Sequence, residues 1–213
     1  MSSNFQEELN MAFDSLKKNI EKPNILLVGG TGVGKSSLLN LCFGEDIAAT
    51  GVGKPITQHI NKFTSPNIPI VLFDSKGYEI GSEQESLFQK EVIELCSETQ
   101  NSIEDKPHLV WYCIQTIGSR ITDFDINIIR KIELSDIPIS IVLTKADLVS
   151  DDDASLLKTA ILNEFPKIQI FETTIKENLH GMELEKLISW STSQLPNALK
   201  TAFDWKTRKN WQK

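Results

Sequence analysis

Asn24-Ile25-Leu26-Leu27-Val28 runs straight into Gly29-Gly30-Thr31-Gly32-Val33-Gly34-Lys35-Ser36, and Ser37-Leu38-Leu39-Asn40-Leu41-Cys42-Phe43 follows. The first block is wholly apolar, which suits a buried strand in a parallel sheet covered on both faces. The second has the spacing G-x-x-x-x-G-K-[ST], and the third opens a helix. Strand, glycine loop and helix in that order form the context in which this pattern cradles phosphate. Glycines let the main chain wrap and turn its N–H groups inward, and the helix start adds the positive end of its dipole. On this reading Gly30, Thr31, Gly32, Val33 and Gly34 bind phosphate with Lys35, Ser36 and Ser37. Lys35 is the mobile cation for the β- and γ-phosphates, and the Ser36 hydroxyl is a Mg²⁺ ligand.

Working outward, the strand-then-helix unit recurs. IPIVLFD, HLVWYCI, ISIVLTK and KIQIF are apolar runs of strand length. Helical patterns fall at roughly 36–43, 83–99, 123–134, 151–165 and 182–194. Such alternation predicts a three-layer α/β/α sandwich with a mostly parallel sheet, whose ligands sit at the carboxyl ends of the strands. Residues 4–20 place Phe5, Leu9, Phe13 and Leu16 on one face of an amphipathic helix that ends at Pro23. The expected organisation is an N-terminal helix over 1–22, a nucleotide-binding domain over 23–195 and a basic helix over 196–213.

Two further motifs lie at strand ends. Thr144-Lys145-Ala146-Asp147 closes ISIVL and matches [N/T]-K-x-D. A carboxylate at Asp147 accepts from both N1–H and the exocyclic amine of guanine, whereas adenine presents an acceptor at N1. Lys145 can lie along the base, and Thr144 can tie this loop to the glycine loop. Between the two, Ile70-Val71-Leu72-Phe73 ends in Asp74-Ser75-Lys76-Gly77. Asp74 is placed to hold Mg²⁺ through water. The Gly77 N–H, three residues on, can meet the γ-phosphate only while that phosphate is present, which makes the pair a switch.

With these three motifs in order, the chain resembles the translation-factor-like class of small GTPases, and within it the Era-like group, over roughly residues 24–195. The resemblance implies a Ras-like six-stranded sheet with five helices, GTP and GDP as ligands, and Mg²⁺-dependent hydrolysis of GTP. It assigns the phosphate chemistry to Lys35, Thr57 and Gly77, and the metal to Ser36, Thr57 and Asp74. Thr57 is the choice for the switch threonine that ligates Mg²⁺ only with GTP bound, with Thr50 as the alternative. Thr173 and Thr174 fall where a short loop touches the base, although the usual Ser-Ala is missing there.

The chain also departs from the family pattern. Tyr78 stands where the Ras type carries the glutamine that positions the attacking water, so slow intrinsic turnover is expected. A module that binds GTP and scarcely hydrolyses it, acting through assembly, is the rival reading. Gly32 stands where K⁺-using members carry asparagine, so no K⁺ stimulation is expected. Arg120 reads either as a helix-start residue or as a charge-stabilising arginine offered to a neighbouring subunit.

A formal net charge of −7 over 213 residues argues against nucleic acid as the main partner. The segment after Pro196 is locally basic, with Lys200, Lys206, Arg208, Lys209 and Lys213. It reads as a final packed helix, with membrane-surface contact as the sharper alternative. An effector protein of unknown identity and a nucleotide-dependent homodimer complete the partner expectations. Cys42, Cys96 and Cys113 show no metal spacing and, with no secretory signal, point to the cytoplasm.

Overall fold

Every residue of strand β1, Asn24–Val28, is buried, as its unbroken apolar sequence requires of a strand with helices on both faces. The computed structural model describes residues 22–43, 52–55, 57, 60–64, 70–75, 85–97, 106–118, 120–176 and 182–196. After β1 come α1 (Lys35–Phe43), β2 (Val52–Pro55), β3 (Ile60–Thr64), β4 (Val71–Ser75) and α2 (Glu85–Cys96). They are followed by β5 (Leu109–Gln115), α3 (Asp123–Glu133), β6 (Ile139–Thr144), α4 (Asp151–Glu164), β7 (Gln169–Glu172) and α5 (Leu184–Gln194). The strands form one sheet in the order β2-β3-β4-β1-β5-β6-β7.

The pairs β4–β1, β1–β5, β5–β6 and β6–β7 are parallel, and β2–β3 and β3–β4 are antiparallel. The stretch from β3 to β7 is the expected Ras-like α/β sheet. Val52–Pro55 adds a seventh strand at its edge, in register with β3 from Val52 opposite Thr64 to Pro55 opposite Asn61. The five expected helices are all present. The expected terminal helices, residues 4–20 and the segment beyond Pro196, lie outside the described residues.

Alternation along the strands divides the core in two. On one face Ile25, Leu27, Leu72, Trp111 and Cys113 pack against Leu38 and Leu39 of α1 and Leu184, Leu187 and Ile188 of α5. On the other, Leu26, Val28, Phe73 and Tyr112 meet α2, α3 and α4 through Phe88, Val92, Ile128, Ile132, Leu157 and Ile161. The two largest polar-tipped side chains inside these layers are paired as burial demands. The Trp111 indole N–H donates to Ser191 Oγ at 3.0 Å, and the Tyr112 hydroxyl donates to Asp125 Oδ1 at 2.8 Å. Thr122 opens α3 with a capping box, its hydroxyl accepting from the Asp125 N–H while the Asp125 carboxylate accepts from the Thr122 N–H.

Among the described residues no helix is long and apolar enough to cross a membrane. Cys42, Cys96 and Cys113 are free and buried.

Candidate functional site

The glycine loop leaves the carboxyl end of β1 in the centre of the sheet. Gly29 sits at φ 149°, where a Cβ would lie 2.3 Å from the Cys113 carbonyl oxygen of neighbouring β5, so no larger residue fits. Thr31, Gly32 and Ser36 are exposed at the loop surface, whereas Val33 and Lys35 are buried. Lys35 folds back inside its own loop, its ammonium donating to the carbonyls of Gly29 at 2.9 Å and Gly30 at 3.1 Å.

Asp74, at the end of β4 beside β1, faces Lys35 electrostatically. Burial holds the Lys35 ammonium below its ordinary pKa, and Asp74 opposes that shift. Burial likewise raises the Asp74 carboxyl above the ordinary carboxylate range, with Lys35 opposing. For both groups desolvation outweighs their mutual attraction, so each is short of charge compensation where it stands. Asp74 Oδ1 is buried without a hydrogen-bond partner among the described residues. A phosphate would supply Lys35 with its counter-charge. A divalent cation would supply Asp74 with its own, and the exposed Ser36 hydroxyl offers a second oxygen. The residues present therefore fit Mg²⁺.

The base-reading loop follows β6. Thr144 Oγ1 donates to the Val33 carbonyl, which joins this loop to the glycine loop. Lys145 repeats the link, its ammonium donating to the Gly32 carbonyl at 2.8 Å and to Gln115 Oε1 at 2.9 Å. Lys145 has a left-handed backbone with φ 56°, a costly conformation for a side-chain-bearing residue. It is held by Thr116, whose hydroxyl donates to the Lys145 carbonyl at 2.8 Å, and by the Ala146 N–H donating to Thr173 O at 3.1 Å.

Asp147 accepts from the Thr174 hydroxyl at Oδ1 and pairs with Lys176 Nζ at 3.1 Å through Oδ2. The Thr174 hydrogen bond is the chief reason that its carboxyl lies below the ordinary range. Thr173 is buried and does a different job: its N–H donates to the Leu143 carbonyl at 2.7 Å and fixes the loop after β7. A cavity of about 340 Å³ opens between these loops, lined by Gly34, Leu38, Leu41, Thr144, Asp147 and Ile175 among others. Its apolar walls and single carboxylate suit a flat base with donors on one edge.

The structure thus brings Lys35, Ser36, Asp74, Thr144, Lys145, Asp147 and Thr174 to one end of the sheet. Thr57 lies just before β3, its hydroxyl donating to Glu91 Oε2 of α2 at 2.7 Å and accepting from the Ile60 N–H at 3.0 Å. Gly77, Tyr78 and the alternative Thr50 lie outside the described residues. Arg120 is exposed at the rim of a second cavity of about 750 Å³ beside the glycine loop. The sequence reading missed Lys176, Gln115, Thr116 and Glu91. Lys176 stands two residues beyond Thr174, and Glu91 interrupts an apolar helix face; both signals were present in the sequence.

Strand order, glycine loop and base loop together define the class, a P-loop GTPase domain. A profile of the 50S ribosome-binding GTPase family matches residues 24–145, and the chain belongs to that family. It is 27% identical over 203 residues to cell division control protein 10 of Saccharomyces cerevisiae, covering 78% of this chain and 62% of that one. It is 27% identical to a probable GTP-binding protein EngB of Aquifex aeolicus over 62% of this chain and 70% of that protein. The GTPase Era of Caldicellulosiruptor saccharolyticus is 26% identical over 63% of this chain and 43% of its own length. The chain therefore spans less than two thirds of the yeast relative and less than half of this Era.

The fold is shared with Era in complex with MgGDPNP and nucleotides 1506–1542 of 16S ribosomal RNA. That match has a TM-score of 0.55 at 16% identity and covers 84% of this chain and 58% of that one. A probable GTP-binding protein engB matches with a TM-score of 0.56 at 13% identity, over 80% of this chain and 97% of that one. That Era structure holds RNA, and the expectation from net charge that nucleic acid is an unlikely partner has no support.

Proposed function

We propose that the chain binds GTP with Mg²⁺, hydrolyses it to GDP and phosphate by attack of water on the γ-phosphorus, and works as a slow switch. The observation that carries this is the joint between the two loops. Thr144 and Lys145 bond to Val33 and Gly32, so the base reader and the phosphate cradle hold one geometry relative to each other. Phosphoryl transfer depends chiefly on such positioning and on charge stabilisation.

In this reading the N–H groups of Gly30 to Lys35 and the Lys35 ammonium bind the phosphate oxygens. Ser36, Asp74 and Thr57 would hold Mg²⁺, which would supply neutralisation of phosphate charge. Asp147, whose carboxylate form Thr174 favours, accepts from guanine, and Lys145 covers the base. Gly77 donates its N–H to the γ-phosphate. Residues 1–22 and 196–213 are taken as helices flanking the 23–195 domain, and the cytoplasm as the compartment. The effector and any nucleotide-dependent homodimer belong to the same proposal.

Single-turnover release of phosphate from bound GTP, with and without self-association, tests it. The expected result is slow, Mg²⁺-dependent release that Lys35→Ala abolishes together with nucleotide binding. Tyr78, in place of the water-positioning glutamine, favours a second reading in which GTP is bound and scarcely hydrolysed. Release no faster than the uncatalysed rate at every protein concentration would select that reading. GTP affinity unchanged in Lys35→Ala would refute the phosphate-loop assignment itself.

A further inference from the structure

Helix α2 turns Phe88, Val92 and Leu95 into the core, and Glu91 stands on that same face, only 8% exposed. A carboxyl in such a position costs desolvation unless it is hydrogen-bonded. Its Oε2 accepts from the Thr57 hydroxyl at 2.7 Å. Thr57 is held on its other side as well: the Ile60 N–H donates to its hydroxyl oxygen at 3.0 Å, and its own N–H donates to the Ile60 carbonyl at 3.3 Å. The threonine is thereby seated on the α2 face of the sheet.

Asp74 turns to the opposite face. Along β4, Leu72 joins the layer that packs on α1 and Phe73 the layer that packs on α2, so by alternation Asp74 shares the α1 face. Lys35, its electrostatic partner, opens α1. A Thr57 hydroxyl bonded to Glu91 on the α2 face is turned away from Asp74 on the α1 face.

We propose that Glu91 is a positioning residue that holds Thr57 away from the metal ligands, so that binding of GTP·Mg²⁺ requires the Thr57–Glu91 hydrogen bond to break. This rests on the functional reading above, in which Thr57 is a ligand only in the GTP form. The contact then weakens GTP and leaves GDP untouched, because GDP makes no demand on Thr57. It also ties the position of α2 to the nucleotide, since the helix loses its bond to Thr57 as the threonine crosses.

The test compares affinities of the full chain for GDP and for a non-hydrolysable GTP analogue at saturating Mg²⁺. Glu91→Ala should raise the analogue-to-GDP affinity ratio about tenfold, equivalent to about 1.4 kcal/mol. Glu91→Gln, which keeps an acceptor oxygen, should raise it less and serves alone if the alanine variant fails to fold. In a Thr57→Ala background, which itself should weaken the analogue more than GDP, replacing Glu91 should change nothing further. A ratio that is unchanged or lowered in both Glu91 variants overturns the proposal, as does an equal effect with and without Thr57. If wild type discriminates the nucleotides through Thr57 but ignores Glu91, the latch alone fails. If Thr57→Ala weakens both nucleotides equally, the assignment of Thr57 fails and the latch with it.

Discussion

Asp147 is one carboxylate with two protein partners, Thr174 on Oδ1 and Lys176 on Oδ2, and both favour its ionised form. The folded pKa is depressed below the unfolded one. Its contribution to stability is therefore complete above the ordinary carboxylate range and is lost as pH falls through the lower, folded value. Guanine binding should follow the same limb, since only the carboxylate accepts both base protons. Thr174→Val removes the largest cause of the shift, so the acid limb of GDP affinity should move up toward an ordinary carboxylate near pH 4. Affinity at neutral pH should change much less, because the carboxylate is ionised there with or without Thr174. A titration of fluorescent GDP binding checks both, and an acid limb that stays put in Thr174→Val would remove this hydroxyl from the account. At this scale the sequence was informative wherever a residue type is tied to a motif: the Thr144 link to the glycine loop follows from TKAD itself. Lys176 was missed although it stands two residues beyond Thr174, because a lysine outside a motif does not show which carboxylate it pairs with.

Elements were legible in proportion to their apolarity. β1, β5 and β6 are interior strands with unbroken hydrophobic runs, and each falls where its sequence places it. β2 and β3 were not read as strands. β2 is Val-Gly-Lys-Pro, and glycine and proline both argue against a strand interior, although proline is tolerated on an edge. In β3 only Ile60 is buried, and Asn61 and Lys62 follow it, the Lys62 ammonium lying over the Phe73 ring at 5.5 Å. Helix α3 owes its start to one residue, Thr122, which accepts from the Asp125 N–H at 3.2 Å and donates to the Asp125 carboxylate at 2.6 Å. Thr122→Ala should cost about 1 kcal/mol, lowering the Tm by about 2–4 °C in a protein of this size. Calorimetry measures that loss, and GDP affinity should change little because the cap lines the cavity beside the glycine loop and not the base cavity. A fall in GDP affinity would mean that the start of α3 shapes the nucleotide site.

Across the whole molecule, the sheet order is what assembles the site. The parallel run β4-β1-β5-β6-β7 points the carboxyl ends of four loop-bearing strands the same way. β4 delivers Asp74, β1 the glycine loop, β6 the base reader and β7 Thr174. Two apolar layers keep those ends fixed, and the loop-to-loop bonds from Thr144 and Lys145 finish the alignment. Guanine specificity is the claim on which the account turns, and Asp147→Asn tests it most directly. The amide sets an N–H donor against the exocyclic amine of guanine, so one charge-assisted bond is lost and a buried donor is left facing a donor. Xanthine carries a carbonyl at that place and pairs with the amide. Competition measurements of GTP, XTP and ATP at fixed Mg²⁺ should show wild type preferring GTP over both, and Asp147→Asn losing GTP affinity by at least tenfold while gaining XTP. ATP bound as tightly as GTP by wild type, or no gain for XTP in the variant, would contradict the assignment of Asp147 and leave a P-loop protein with no established base.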